Sequence, residues 1–432
     1  MIIVLAWLLS IVSVTLFVHT CYSLYLALYA WNDPRRLQPE VAFAPPRLWF
    51  TVLIPARHEE EVIAETIQRV FDANYPKDLL EILVICSSDD QGTIRAAQEA
   101  IEQRNLHAEV LTFSDGPINK PHGLNVGLRK ARGDYVAVFD AEDDVHPDIF
   151  SAVNATALRE GSDVIQGPVQ LMDYDSRWYS TFCVLEYFIH YSSRLRYQAL
   201  KAAVTLGGNT VFFKRSTLES LGGWDEGCLT EDAEIGIRMG AQGASIHVLY
   251  HPALATREET PNSVAAFVRQ RTRWHQGFIQ VLRKRDWLRL PGFGAVALAF
   301  FTMFFPIYHG FTTLLWPIAL TLILFVDIPV AFALLTYLPV YALILLYVVN
   351  VVMLWEFTRV YHLPFRPSAP LVMAITFLPF QWLLGISSIR AVIREALGHK
   401  NWEKTFHPGS HRQALDPQLA QVEAVRIGAE RE

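Results

Sequence analysis

The chain has 432 residues, a net charge of −6, 52% hydrophobic side chains and a mean hydropathy of +0.22. So small a net charge gives no argument for a nucleic-acid partner, and the apolar content is too high for a wholly soluble protein. The four cysteines, Cys21, Cys86, Cys183 and Cys228, are far apart with no CxxC pair, so they support neither a zinc site nor a disulfide framework and read as reduced thiols.

The apolar excess sits in residues 1–31 and 293–391. The first stretch carries no charged side chain before Asp33 and keeps bulky residues to its end, unlike a cleaved leader. It predicts a retained transmembrane helix over 1–32 with an aromatic belt at Tyr25, Tyr29 and Trp31, and Arg35 and Arg36 favour a cytoplasmic exit. A Pro-rich linker, 37–49, leads to a domain over 45–290. There, strands are expected at 50–55, 80–86, 108–113 and 135–139, with helices at 56–71, 93–103 and 124–131 between them. Such alternation predicts a parallel sheet with crossover helices, a Rossmann-like α/β fold. No GxGxxG follows the first strand, so a dinucleotide fingerprint is absent. Further on, a strand at 164–169, an aromatic-rich helix at 176–199, a strand edge at 211–213 and helices at 230–242 and 260–283 are expected.

From 293 the chain turns apolar again. The stretch 293–327 is predicted as two short helices broken near Pro306 and His309-Gly310, followed by spans at 330–353 and 371–389. Arg390, Arg394, Lys400 and Lys404 place the tail, 392–432, in the cytoplasm, whereas Arg359 and Arg366 in the preceding loop argue the other way.

The chemistry is foreshadowed by Val136-Ala137-Val138-Phe139-Asp140-Ala141-Glu142-Asp143, an apolar strand ending in three carboxylates. Ligands of open α/β sheets sit at such strand ends, and hard oxygens there suit Mg²⁺ or Mn²⁺; a solvated acidic turn is the plainer alternative. Thr230-Glu231-Asp232 opens a helix, with Thr230 as its N-cap. The helix dipole favours acidic side chains there and lowers their pKa, the opposite of what a base needs. Gln270, Arg273 and Trp274 are spaced i, i+3, i+4 and share a helix face. An arginine there can meet a pyrophosphate and a tryptophan can stack on a sugar; a membrane-interface tryptophan with a snorkelling arginine is the alternative.

Taken in order, Ile54-Pro55-Ala56-Arg57, Asp140-Ala141-Glu142-Asp143, Thr230-Glu231-Asp232 and Gln270-Arg271-Thr272-Arg273-Trp274 resemble the family 2 inverting glycosyltransferases, whose processive membrane members make cellulose, hyaluronan, chitin and poly-N-acetylglucosamine. The resemblance covers about 50–285. It implies a GT-A catalytic domain with a mostly parallel sheet plus transmembrane α-helices, and transfer from a nucleotide-sugar donor, UDP-linked, to a growing β-linked polysaccharide. The alternatives are single addition to a membrane lipid, such as a polyprenyl phosphate or glycolipid, or a non-catalytic assembly subunit. By the same resemblance Asp232 is the base with Glu231 beside it, and Asp140 and Glu142 hold Mg²⁺ or Mn²⁺. Pro55, Arg57, Glu59, Asp89, Lys120 and Asp140 face the donor; Asn209, Gln270, Arg273 and Trp274 face the acceptor. The pattern departs from the family at Asp140-Ala141-Glu142, where Asp-x-Asp is usual and Asp143 is a substitute ligand, and at Cys86-Ser87-Ser88, where acidic residues are usual. His58 and Glu60 are expected near the nucleotide, while His122, His146 and His275 read as polar surface or supporting residues. Trp402-Glu403-Lys404-Thr405-Phe406-His407 resembles tails of some members and is a candidate gating segment. The expected setting is the plasma membrane, with the catalytic domain cytoplasmic and membrane lipids around the helices.

Overall fold

A computed structural model describes residues 2–33, 35–37, 43–325, 330–399 and 401; of the predicted tail, 392–432, the Trp402–His407 motif and everything after it lie outside the described residues. The chain opens with α1 (Ile2–Leu28), then β1 (Phe50–Ala56), α2 (Ile63–Phe71), β2 (Leu80–Ser87), α3 (Gln91–Arg104), β3 (Ala108–Phe113), α4 (Lys120–Leu128) and β4 (Tyr135–Val138). The predicted alternation stands. The helix after β1 starts later than expected, because residues 57–62 form a turn in which His58 takes φ +55° and its N–H donates to Asp90.

The second half follows with α5 (Ile149–Glu160), β5 (Val164–Gln166), β6 (Val169–Leu171), α6 (Ser180–Ile189), α7 (Leu195–Leu200), β7 (Val211–Lys214), α8 (Arg215–Ser220), α9 (Glu231–Ala241), β8 (Ile246–Val248), β9 (Thr256–Glu258) and α10 (Val264–Lys284). The single strand expected at 164–169 is split by Gly167-Pro168, where proline cannot donate to a ladder, and its halves join different sheets. The seven-stranded sheet runs β3-β2-β1-β4-β7-β5-β8. β1 to β4 are mutually parallel, β7 is antiparallel to both its neighbours, and β8 is parallel to β5. Every residue of β2 is buried, the pattern of a strand covered on both faces. Phe50, Phe139, Phe150 and Phe212 interlock under the sheet with ring centroids 5.5–6.0 Å apart. Each such fully buried ring contributes about 1.5–3 kcal/mol, which fixes the strand ends that carry the carboxylates.

After the domain come α11 (Phe293–Phe325), α12 (Val330–Thr336), α13 (Leu338–Val360) and α14 (Ala369–Ala396). The expected pair of short helices over 293–327 is instead one helix with Pro306 and Pro317 inside it. Apolar surroundings penalise any unpaired backbone group, so helix is kept through proline and side chains satisfy spare carbonyls. Here Thr312 and Thr313 donate to His309 O, and Thr321 donates to Pro317 O. Four stretches among the described residues are long and apolar enough to cross a membrane: 6–28, 293–315, 330–360 and 369–396.

Three of these run from one side to the other. α1 has its far end at Trp7, edge-on to Phe332 of α12 at 5.1 Å, and its near end pinned where Ser193 donates to Leu26 O. α13 returns to the domain, where Phe357 meets Tyr174 and buried Arg36 pairs with Glu356 at 2.5 Å. α14 is different: both its ends meet the domain. At its start Arg366 pairs with Asp175 at 2.5 Å and Tyr174 donates to Pro364 O. At its end Glu395 meets Gln276, Gln280 and Arg283 of α10. It therefore lies along α10, with Phe380 against Phe267 and Phe182.

Candidate active site

The carboxyl ends of β1 and β4 open into a cavity of about 1110 Å³ that continues between α1, α11, α13 and α14. Pro55, Arg57, Glu59, Lys120, Asp140, Glu142, Asn209, Glu231, Asp232, Gln270, Arg273 and Trp274 all line it. Two predicted residues do not reach the cavity: Glu60 is exposed beyond β1, and Asp89 is exposed in the turn after β2, where Ser87 takes the place on the wall. The hydrogen bond from Ser87 holds the Asp89 carboxyl below the usual range. His58 lines the cavity as expected. His122 and His275, expected at the surface or in support, are 5% and 6% exposed and lie inside the fold.

Lys120 is the first residue of α4, behind Asn119, whose side chain caps the helix by accepting from the His122 N–H. Its Nζ donates to Asp140 Oδ1 at 2.5 Å and to Gly208 O at 2.8 Å. Burial works against its charge, but Asp140, Glu231 and Asp232 overcome that and hold its pKa above the usual lysine range.

Asp143 is not a spare ligand. It is fully buried, its Oδ2 accepting from the Asp140 N–H and its Oδ1 from Asn209 Nδ2. The same amide donates to Glu258 on β9 at 2.5 Å. Sequence reasoning passed over Glu258, since a carboxylate on a three-residue strand carries no motif. Burial, with Asp140 and Glu142 nearby, pushes Glu258 up to about 8, and burial with Glu258, Asp140 and Glu142 raises Asp143 well above its ordinary value. These four carboxylates repel one another, and a hard cation is what such a group attracts. Among the described residues no three His, Cys, Asp or Glu side chains converge as a complete metal cage. Of the four, Asp140, Glu142 and Glu258 line the cavity.

Thr230 is the N-cap residue of α9, as expected, but its hydroxyl makes no cap bond and is buried without a partner. Gly277 of α10 packs on it: a Cβ there would stand 2.3 Å from Thr230 Oγ1. Glu231 and Asp232 follow in the first turn. The dipole argument predicts low pKa values, and burial overrides it. Burial and then Asp232 push Glu231 up to about 7; burial likewise raises Asp232 against the Ala233 N–H, Lys120 and Arg273. Asp232 Oδ1 accepts from the Ala233 N–H at 2.8 Å. Its Oδ2 looks past Gly208, where a Cβ would approach to 3.1 Å, so the missing side chain keeps that oxygen accessible.

On α10, Arg271 lies 4.3 Å over the Trp274 ring and pairs with Glu186 at 2.8 Å, and Tyr187 borders the same indole at 6.5 Å. Trp274 thus faces the cavity in a fixed aromatic setting.

The profile of the family described as glycosyltransferase like family 2 matches residues 45–277. A beta-monoglucosyldiacylglycerol synthase of Nostoc sp. is 26% identical over 247 residues, 57% of this chain and 52% of that one. A poly-beta-1,6-N-acetyl-D-glucosamine synthase of Staphylococcus aureus is 25% identical over 280 residues, 62% of each chain. The chain thus spans about half to three fifths of the length of these curated relatives. Among solved structures, the mannosyltransferase PcManGT from Pyrobaculum calidifontis, in complex with GDP-Man and Mn²⁺, superposes with a TM-score of 0.57 at 20% identity. That likeness covers 90% of this chain and 99% of that one, and it shows the GT-A fold. With the profile spanning more than half of its residues, the chain belongs to the family 2-like glycosyltransferases.

Proposed function

We propose that the protein is a membrane-embedded inverting glycosyltransferase that moves a sugar from a UDP-linked donor to an acceptor hydroxyl presented from the helix-lined end of the cavity. The observation that carries this is continuity: one cavity joins Lys120 and Asp140, then Asp232, then the membrane helices. Arg57 and Lys120 face the donor diphosphate, with Pro55 and Glu59 shaping the wall beside them. The donor set suits a hard cation, because Asp140 and Glu142 lie on the cavity wall beside buried Asp143 and Glu258, which burial and then these neighbouring carboxylates raise. Asp140 and Glu142 would hold Mg²⁺ or Mn²⁺ together with the donor phosphates, and the chemistry such an ion supplies is neutralisation of the departing diphosphate.

Asp232 is the base. The acceptor O–H gives its proton to Oδ2, the oxygen attacks the anomeric carbon, and the bond to the diphosphate breaks on the opposite face. A carboxylate raised by burial accepts a proton better than a free one. Glu231, Lys120 and Arg273 set its charge state. Asn209 and Gln270 offer amides to the acceptor, and Trp274 offers a stacking face.

In the first reading the acceptor is a growing β-linked polysaccharide, supported by Trp274 on the cavity wall. In the second it is a membrane lipid receiving one sugar, supported by the apolar continuation of the cavity among α1, α11 and α13. The test is UDP release by purified full-length protein over a panel of nucleotide sugars with Mg²⁺ or Mn²⁺, beside Asp232→Asn. Turnover of one donor that the variant loses is expected, and sizing the product separates polymer from glycolipid. Failure of every donor with every metal and acceptor would overturn the proposal.

A further inference from the structure

Past the carboxylates the cavity changes character. α6 and α7 are one helix interrupted by a π turn over His190–Arg194. Such turns widen a helix by one residue and recur at functional positions. Here the turn brings His190, Tyr191 and Arg194 onto the cavity wall. Arg194 Nε is buried and has no hydrogen-bond partner. Among the described residues the carboxylate acting on Arg194 is Glu186, already paired with Arg271. Burial holds the guanidinium below its usual range and pushes His190 down to about 3, so Arg194 carries the charge and the imidazole is neutral.

Other bases close the ring. His19 of α1 and His309 of α11 both stack on Phe305, at 5.1 and 5.0 Å, and His275 of α10 shares the Ser388 hydroxyl with His309 at 3.0 and 3.5 Å. Beyond this belt the walls are largely hydrocarbon, with Leu9, Val12 and Leu16 of α1 and Leu343 and Leu346 of α13, interrupted by Ser13, Thr313, Asn350 and Gln381. The cavity therefore runs from carboxylates, through a belt of nitrogen bases, to an apolar chamber of membrane helices. A guanidinium whose Nε is buried unpaired, and whose one acting carboxylate already serves Arg271, is costly, and ionisable groups at such depth mark ligand paths. A neutral glycan offers the guanidinium no countercharge.

We infer that Arg194, with His190 and the surrounding imidazoles, binds the phosphate of a membrane lipid whose chains occupy the chamber between α1, α11 and α13 and whose head points towards Asp232. The inference rests on the second reading above, in which the acceptor is a lipid.

The test uses full-length protein in a neutral detergent and three probes, dihexanoyl phosphatidic acid, dihexanoylglycerol and inorganic phosphate, each titrated by thermal unfolding. Phosphatidic acid is expected to raise Tm saturably at concentrations where the other two do nothing. Arg194→Gln should weaken its apparent affinity at least about tenfold, the loss of one charge-assisted contact. Arg194→Lys, which keeps the charge, should stay within about threefold. Equal response to the diacylglycerol, equal response to phosphate alone, or an unchanged Kd in Arg194→Gln would each overturn the inference. So would competition by UDP, which would assign the phosphate to the donor end. If Arg194→Gln does not fold, the comparison of three probes on the natural protein still decides. UDP binding with Mn²⁺, measured on the same preparation, tests the donor reading separately: its loss would sink the transferase site and leave the lipid result standing.

Discussion

At the residue scale the decisive pair is Glu231 and Asp232. Their carboxyls are raised together, by burial first, so they titrate as a unit. A raised folded-state pKa means the folded protein holds a proton that the unfolded chain has released. The resulting stability is full below the ordinary value of 4.5 for Glu231 and is lost as pH rises towards its folded value of about 7. Turnover runs the other way, since Asp232 must be ionised to accept a proton. We expect kcat/KM to rise through this window, above the normal carboxylate range. The Tm of Glu231→Gln should gain on that of the natural protein as pH climbs from 4.5 to 7. A constant Tm difference would refute the shift. Asp232→Asn should lose about 10²–10⁴-fold in kcat while UDP binding persists; a change confined to KM would remove Asp232 from the base role.

The Asp140, Asp232 and Trp274 positions were legible from their motifs, because strand end, helix start and helix face each follow from local pattern. Glu258 and Arg194 were not. A buried carboxylate on a short strand and an arginine in a π turn acquire meaning only from neighbours distant in sequence.

At the element scale, α10 is the hub. It carries Gln270, Arg273 and Trp274 on its cavity side and holds the segment leading into α9 on another. Gln280 Oε1 accepts from the Leu229 N–H, its Nε2 donates to Glu395 of α14, and Gly277 lets Thr230 approach. Gly277→Val would drive a side chain into Thr230. We expect a loss of about 1–3 kcal/mol, the usual penalty of overpacking, read as a lower Tm, with kcat falling more than UDP affinity. Unchanged kcat would show that the loop tolerates displacement.

The first four strands and their helices were predictable because each is a two-sided apolar run or an amphipathic period closed by turn residues. The order of the remaining strands was not, since β7 runs antiparallel between β4 and β5 and no short-range signal encodes that. The helix of α11 defeated a proline-based break for a physical reason: in apolar surroundings an interrupted ladder costs more than a kink.

At the scale of the whole molecule, the side-to-side arithmetic differs from hydropathy alone. α1, α11 and α12–α13 link near and far ends, whereas α14 begins at Arg366–Asp175 and finishes at Glu395 on α10. Its outward residues Leu371, Ile375, Leu378, Trp382 and Ile386 are exposed, an apolar face turned away from α10. We predict that residues following α14 share the side of the catalytic domain. Single cysteines at Arg104 and Asn401, in a Cys21→Ser background, should label alike with an impermeant maleimide in sealed vesicles. Opposite labelling would make α14 a crossing helix.

The Arg36–Glu356 ion pair has a consequence for how the protein is made. Its partners are 320 residues apart. At roughly 5–20 residues per second of synthesis, the arginine at the exit of the first helix waits on the order of half a minute for its counter-ion. During that time the catalytic domain emerges and can fold. The wall that separates the reaction from lipid is therefore the last part to be assembled, and a chain halted before Glu356 would hold a formed domain over an unsealed floor.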